Sequence, residues 1–149
     1  MRITLLGASA ALFVLCIAGC SKTENGSTNV LDGNWAVVAI TADGERGGVC
    51  ASRDQIKGMT WSINDGQIIG TNPDGSTGKM SFRLESEKAL KTIDITATDG
   101  NCKGETARGI YALGQKRLLI CLPTKNADRP TELTAGLQSW TMELERVER

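Results

Sequence analysis

From residue 57 onward apolar and polar side chains alternate along the chain, and a period of two belongs to β-strands with one buried face. Met80, Phe82 and Leu84 are separated by Ser81 and Arg83, and Ile93, Ile95 and Ala97 by Asp94 and Thr96. Trp140, Met142 and Leu144 alternate with Thr141 and Glu143, and Met59, Trp61 and Ile63 with Thr60 and Ser62. A slip of one residue would carry each apolar set into water, so the pairing register is well specified. Segments 35–40 and 117–122 are apolar on both sides. That pattern predicts central strands, or strands covered on both faces.

Turn signals separate the runs at short intervals: Asp43-Gly44, Asn64-Asp65-Gly66, Asp74-Gly75, Asp99-Gly100 and Leu113-Gly114-Gln115. Such pairs suit turns that need a positive φ. Segments 35–41, 57–63, 67–71, 79–84, 91–97, 108–113, 116–122 and 137–145 therefore make eight predicted strands. The expected fold is all-β, an eight-stranded antiparallel up-and-down barrel. Closure removes exposed edges and leaves an interior that side chains, or one small ligand, would fill. Residues 50–55 are expected to form a helical turn, and 127–134, with Pro130, a loop.

Composition narrows the chemistry. The chain has 149 residues, a length expected to form one domain with a real core, and its 17 basic side chains balance 17 acidic ones. Near-neutrality argues against a nucleic-acid partner, whose phosphates need many Lys and Arg contacts. Histidine is absent from the sequence, which removes Ser-His-Asp and Cys-His nucleophile systems and His-containing zinc sites. Asp94 with Asp99, or Glu143 with Glu145, are the paired carboxylates on offer for acid–base work. The strand alternation places Glu143 and Glu145 on the outer, solvated face. Segments 65–66 and 101–104 are too sparse for phosphate or calcium loops. No catalytic residue, metal site or cofactor is expected, and the chain reads as a non-enzyme.

The first residues carry a different signal. Met1-Arg2 is a short basic start, residues 3–17 are apolar, and Ile17-Ala18-Gly19-Cys20 closes the run before the polar stretch 21–29. These are the parts of a secretory leader, too short to span a bilayer as a helix. The closing tetrapeptide resembles the bacterial lipoprotein lipobox, with isoleucine in place of the commoner leucine. That resemblance implies cleavage after Gly19, a diacylglycerol thioether on Cys20, and a membrane partner reached through this N-terminal lipid. Ser21, in place of the aspartate that favours inner-membrane retention, implies a cell-envelope protein on the outer membrane facing the periplasm. The expected organisation is a signal peptide over 1–19, a lipidated flexible tether over 20–29 reaching roughly 15–20 Å, and a barrel domain over 30–149. Without residues 1–19 the only charge lost is Arg2, which leaves 16 basic and 17 acidic side chains and no polybasic membrane patch.

The run Leu31-Asp32-Gly33-Asn34-Trp35-Ala36-Val37-Val38, followed by Asp43-Gly44, Ile93-Asp94-Ile95, Gly109-Ile110-Tyr111, Leu119-Ile120-Cys121-Leu122 and Arg129-Pro130-Thr131-Glu132, resembles an uncharacterised lipocalin-like domain family abundant in planctomycetes. The similarity covers residue 31 to the end. Gly33-Asn34-Trp35 also matches the Gly-x-Trp opening of lipocalins, where the tryptophan closes the barrel floor. By that likeness, Arg146 near the end of the last strand is the basic residue that packs over the ring. The resemblance implies a fold and an extracytoplasmic setting, and no activity.

Cys16 leaves with the leader and Cys20 is taken by the thioether, so Cys50, Cys102 and Cys121 remain. An oxidising compartment permits a bridge. Cys50 and Cys102 lie in loop-like contexts and are the expected pair, although pairings with Cys121 stay open. Closing that loop would stabilise by roughly 4 kcal/mol in a chain-entropy model. Cys121 sits in an apolar strand and reads as a small buried hydrophobe.

Two functions from different classes fit these residues. In the first, Trp61, Met80, Phe82, Ile95, Trp140 and Met142 line a barrel cavity that holds a small apolar ligand. In the second, the same residues merely fill the core and the barrel is a lipid-tethered platform. An envelope protein would then dock on the longest polar connections, 43–53 and 124–132. A void of at least about 300 Å³ discriminates in favour of the first.

Overall fold

The computed structural model describes residues 30–42, 48–49 and 53–148. The expected leader and tether with Cys20, and Cys50 with most of the 43–53 connection, lie outside these residues. The chain forms β1 (Gly33–Ala42), β2 (Gly48–Val49), the short helix α1 (Arg53–Ile56), β3 (Thr60–Asn64), β4 (Gln67–Thr71), β5 (Thr77–Glu85), β6 (Thr92–Ala97), β7 (Thr106–Leu113), β8 (Arg117–Pro123) and β9 (Ser139–Arg146). Strands β3 to β9 pair in sequence order, all antiparallel, and β1 pairs with both β3 and β9. The sheet thereby closes into an eight-stranded up-and-down barrel of lipocalin-like architecture. The two-residue β2, which the sequence pattern did not predict, pairs with the end of β1. Segment 57–63 begins as a strand only at Thr60, because Lys57 and Gly58 form a turn and Gly58 takes φ 90°.

Local chemistry explains the hairpins. Asp65 and Gly66 both take positive φ between β3 and β4, the geometry of a two-residue turn whose twist matches the flanking strands. Inside the barrel the alternation delivers Ile63, Ile68, Phe82, Ile93, Leu118, Ile120, Met142 and Leu144 to one buried cluster with Trp35 and Val37. Burial of such side chains contributes about 1.5–3 kcal/mol apiece.

The two segments with apolar residues on both sides have separate explanations. In β1 Val37 faces Leu144 and Ala39 faces Glu143, so Val38 is the extra residue of a bulge. The bulge reverses the phase of alternation. Trp35 and Val37 point inward before it, and Ile40, opposite Met142, joins the core after it. Segment 35–40 is thus not a strand covered on both faces. Strand β8 is one. Leu118, Ile120 and Leu122 face the interior, while Cys121 on the outer face is also fully buried beside Ile110 and Thr92.

The cover over β8 is the connection 124–138, which folds back over the outside of β6, β7 and β8. Its latch is Arg129, whose guanidinium donates to the Gly109 carbonyl at 2.6 Å and to Asp94 Oδ1 at 2.7 Å. Both contacts are charge-assisted and half-buried, which makes them the strong kind. Cys121 Sγ lies 3.5 Å from the Thr134 carbonyl under the same cover.

The floor of the barrel is built from its first residues. Leu31 and Trp35 are fully buried, and Trp35 Nε1 donates to the Leu31 carbonyl at 2.8 Å. Arg146 stacks on the Trp35 ring at 4.3 Å from its centroid and donates to the Asp32 carbonyl at 2.8 Å. Gly33 is required twice here. Its φ is 140°, and a Cβ would stand 2.6 Å from Arg146 Nη1.

Candidate functional site

At the end opposite the floor the barrel is open. The cavity there has a volume of about 1220 Å³, lined on the inside by Trp61, Met80, Ile95, Ala97, Leu122 and Trp140. Its rim is formed by the start of β7 and by residues 124–129 of the connection 124–138, which lies as a strap across the outer wall. The space exists because inward positions near this end carry small residues. Gly70 faces Gly78 across β4 and β5, and Ala97 and Ala107 continue the ring of short side chains on β6 and β7. A Cβ added at Gly78 would meet nothing within 4 Å.

Six residues were expected to line a cavity from the alternation alone. Trp61, Met80, Ile95 and Trp140 do line it. Phe82 and Met142 face the interior nearer the floor, where they are 7% and 5% exposed and pack in the closed core. Alternation identifies the inner face but not the height along the barrel axis, because height depends on strand tilt and stagger. The lining residues not expected include Ala97, Ala107 and Leu122 on the inner wall, and the start of β7 and residues 124–129 at the rim. Segment 124–132, expected as a long polar connection on which a partner docks, is held to the barrel wall by Arg129.

The indole groups differ in their hydrogen bonding. Trp35 Nε1 is satisfied by Leu31, whereas Trp61 Nε1 and Trp140 Nε1 donate to no described residue. Trp61 is 6% exposed and Trp140 only half-buried. Tyr111, 2% exposed, likewise holds its hydroxyl without a partner among the described residues, and burial pushes that hydroxyl up from its ordinary value.

Several charged residues around the barrel have structural partners. Asp94 is paired with Arg129, and Asp99 accepts from the Lys79 backbone at 2.8 Å, so these two carboxylates do not form an acid–base couple. Glu143 and Glu145 share Arg117, at 2.7 and 3.0 Å, on the outer wall. Across the mouth Lys125 and Glu105 face each other at 3.5 Å, both exposed.

Of the cysteines, Cys102 is exposed in the turn after β6 and borders the cavity, and Cys121 is buried under the strap. Cys50, the expected partner of Cys102, lies outside the described residues. Burial pushes the Cys121 thiol up from its ordinary value of 9.0, against a smaller opposing hydrogen bond from Ser139. Two expected outcomes follow. Iodoacetamide at neutral pH should leave Cys121 unmodified in the folded protein, since the thiolate is the reactive form. Both Cys121 and Tyr111 have folded-state values raised above their unfolded ones, so their contribution is fully present below about pH 9 and is lost as pH rises further. Labelling mass spectrometry and melting curves between pH 7 and 11 check the pair.

Comparison with protein-family models, with curated proteins and with solved structures finds no match to this chain. The fold and the cavity therefore carry the functional reading.

Proposed function

We propose that this protein is a lipid-anchored lipoprotein of the cell envelope that holds a small apolar ligand in the mouth of its barrel, without catalysis. The observation that carries this reading is the cavity of about 1220 Å³ with an apolar inner wall. It exceeds the few hundred Å³ that a small ligand needs, and barrel mouths are a recurrent place for such sites. The direction of the chain supports the anchor. Val30 lies at the floor, where its carbonyl faces Arg146 Nη2, so a tether from a lipidated Cys20 leaves the barrel at the end away from the mouth. Val30 and Val147 are exposed apolar residues near that end. The cavity then opens into the periplasm.

Native mass spectrometry of the full chain, isolated gently from its own membranes, tests the ligand. A reproducible extra mass that disappears on denaturation is the expected result. A bare mass overturns ligand carriage and favours the platform reading, for which the strap with its exposed Leu137 is the candidate surface. Cys20→Ser is expected to release the protein from membranes. If the variant still pellets with membranes at high salt, the lipid is not its anchor.

A further inference from the structure

We infer that the occupant of the mouth is an apolar molecule bearing a neutral oxygen acceptor, a ketone or ester carbonyl, and that this oxygen accepts the hydrogen bond of Trp61 Nε1. The inference rests on the cavity reading above and specifies its chemistry.

It starts from the difference between three indoles in one molecule. A buried tryptophan N–H ordinarily finds an acceptor, and Trp35 does so in Leu31. Trp140 also lines the cavity without a partner, but it is only half-buried and water reaches it. Trp61 is set deeper in the same cavity, 6% exposed, and donates to no described residue. A ligand that displaces water from the cavity leaves this donor unpaired unless it brings an acceptor of its own.

The sequence positions that donor deliberately in space. Trp61 faces Gly70 across the β3–β4 pair, and a Cβ built on Gly70 would stand 3.4 Å from Trp61 Nε1 and 3.6 Å from the Met80 methyl. Glycine at 70 therefore leaves the nitrogen edge of the ring with no side chain of β4 over it. An alanine methyl there would rest in van der Waals contact with the nitrogen.

The charge distribution selects a neutral acceptor. The cations bordering the cavity sit at its rim: Arg129, held by Asp94 and Gly109, Lys125, beside Glu105, and Arg108, opposite Asp94 in the β6–β7 register. The inner wall around Trp61 is Met80, Ile95 and Ala97, with no cation. A carboxylate brought to Trp61 would lose its hydration without gaining a counter-charge. A plain hydrocarbon would bury the N–H unpaired. A carbonyl satisfies the donor at little cost of its own.

The test compares 2-nonanone, nonane and nonanoate on the full chain, with the three indole N–H signals followed by ¹H–¹⁵N NMR. Ketone is expected to move the Trp61 indole signal downfield while that of Trp35 stays in place. It should bind about fivefold more tightly than the alkane, with nonanoate weakest. That margin should vanish in Trp61→Phe, which keeps a ring and removes the donor. Gly70→Ala, which crowds the nitrogen, should reduce the margin even if Trp61→Phe does not fold. Ketone and alkane binding equally, with the Trp61 signal unmoved, would overturn the acceptor assignment and leave the cavity reading intact. If none of the three probes binds, the cavity reading fails and takes this inference with it.

Discussion

Trp35→Ala is expected to destabilise the protein by about 3–5 kcal/mol, the usual cost of truncating a fully buried aromatic side chain. Three losses combine at this one position. The ring is fully buried at the floor, so its removal opens a cavity beneath the core. Its stacking with the Arg146 guanidinium, 4.3 Å from the centroid, disappears, and such contacts are worth about 0.5–2 kcal/mol. The Leu31 carbonyl also loses its 2.8 Å donor in a buried setting. Chemical denaturation monitored by circular dichroism measures the sum, since the remaining tryptophans report on the mouth. A loss below about 1 kcal/mol would remove Trp35 from the floor. Trp35→Phe should cost less, because it keeps the stacking face and gives up only the N–H.

The reading of Trp35 and Arg146 came from a local opening motif together with a basic residue over a hundred positions away, and the structure joins them. The barrel itself was legible for a physical reason. A period of two is a local property, so each strand and its inward face could be read from a handful of residues, and the Asp-Gly pairs marked where the chain turned. What escaped was whatever depends on the sum of many strands. The bulge at Val38 leaves no signature in a run of Ala, Val and Ile, any of which suits either face. The latch between Arg129 and Asp94 joins residues 35 positions apart and has no periodic signal at all.

The cavity was half legible. Trp61, Met80, Ile95 and Trp140 were found because they lie inward, and Phe82 and Met142 were grouped with them because sequence does not give height along the axis. A signal was nevertheless present. Gly70, Gly78, Ala97 and Ala107 are all inward and all near the ends of their strands, on the mouth side. Small inward residues gathered at one end are what an open mouth requires, just as Leu31, Trp35 and Leu144 at the other end are what a closed floor requires. Assigning each inward residue to an end of its strand, in addition to a face, separates the two sets.

Gly109→Ala is expected to destabilise by about 3 kcal/mol, at the upper end of what overpacking costs, against the ordinary preference of strands for alanine over glycine. The reason is the closeness of β8. A Cβ at position 109 would stand 2.5 Å from the Cys121 carbonyl oxygen and 2.5 Å from Leu122 Cδ2. The leucine could turn aside, but the carbonyl belongs to the backbone and moves only with the strand. That strand has little freedom to move, since the β7–β8 ladder ends one step away at Ile110 and Cys121, where the outer face is already covered by the strap. Arg129 further holds the Gly109 carbonyl from outside. Combining Gly109→Ala with Leu122→Ala separates the two contacts by a double-mutant cycle. Partial recovery is expected, because only the side-chain half of the clash is relieved. Gly78→Ala supplies the control, with open space around its Cβ and an expected change within about 0.5 kcal/mol. Equal and small effects at both glycines would mean that β7 and β8 do not approach so closely, and that the strap lies over a looser wall than the one described.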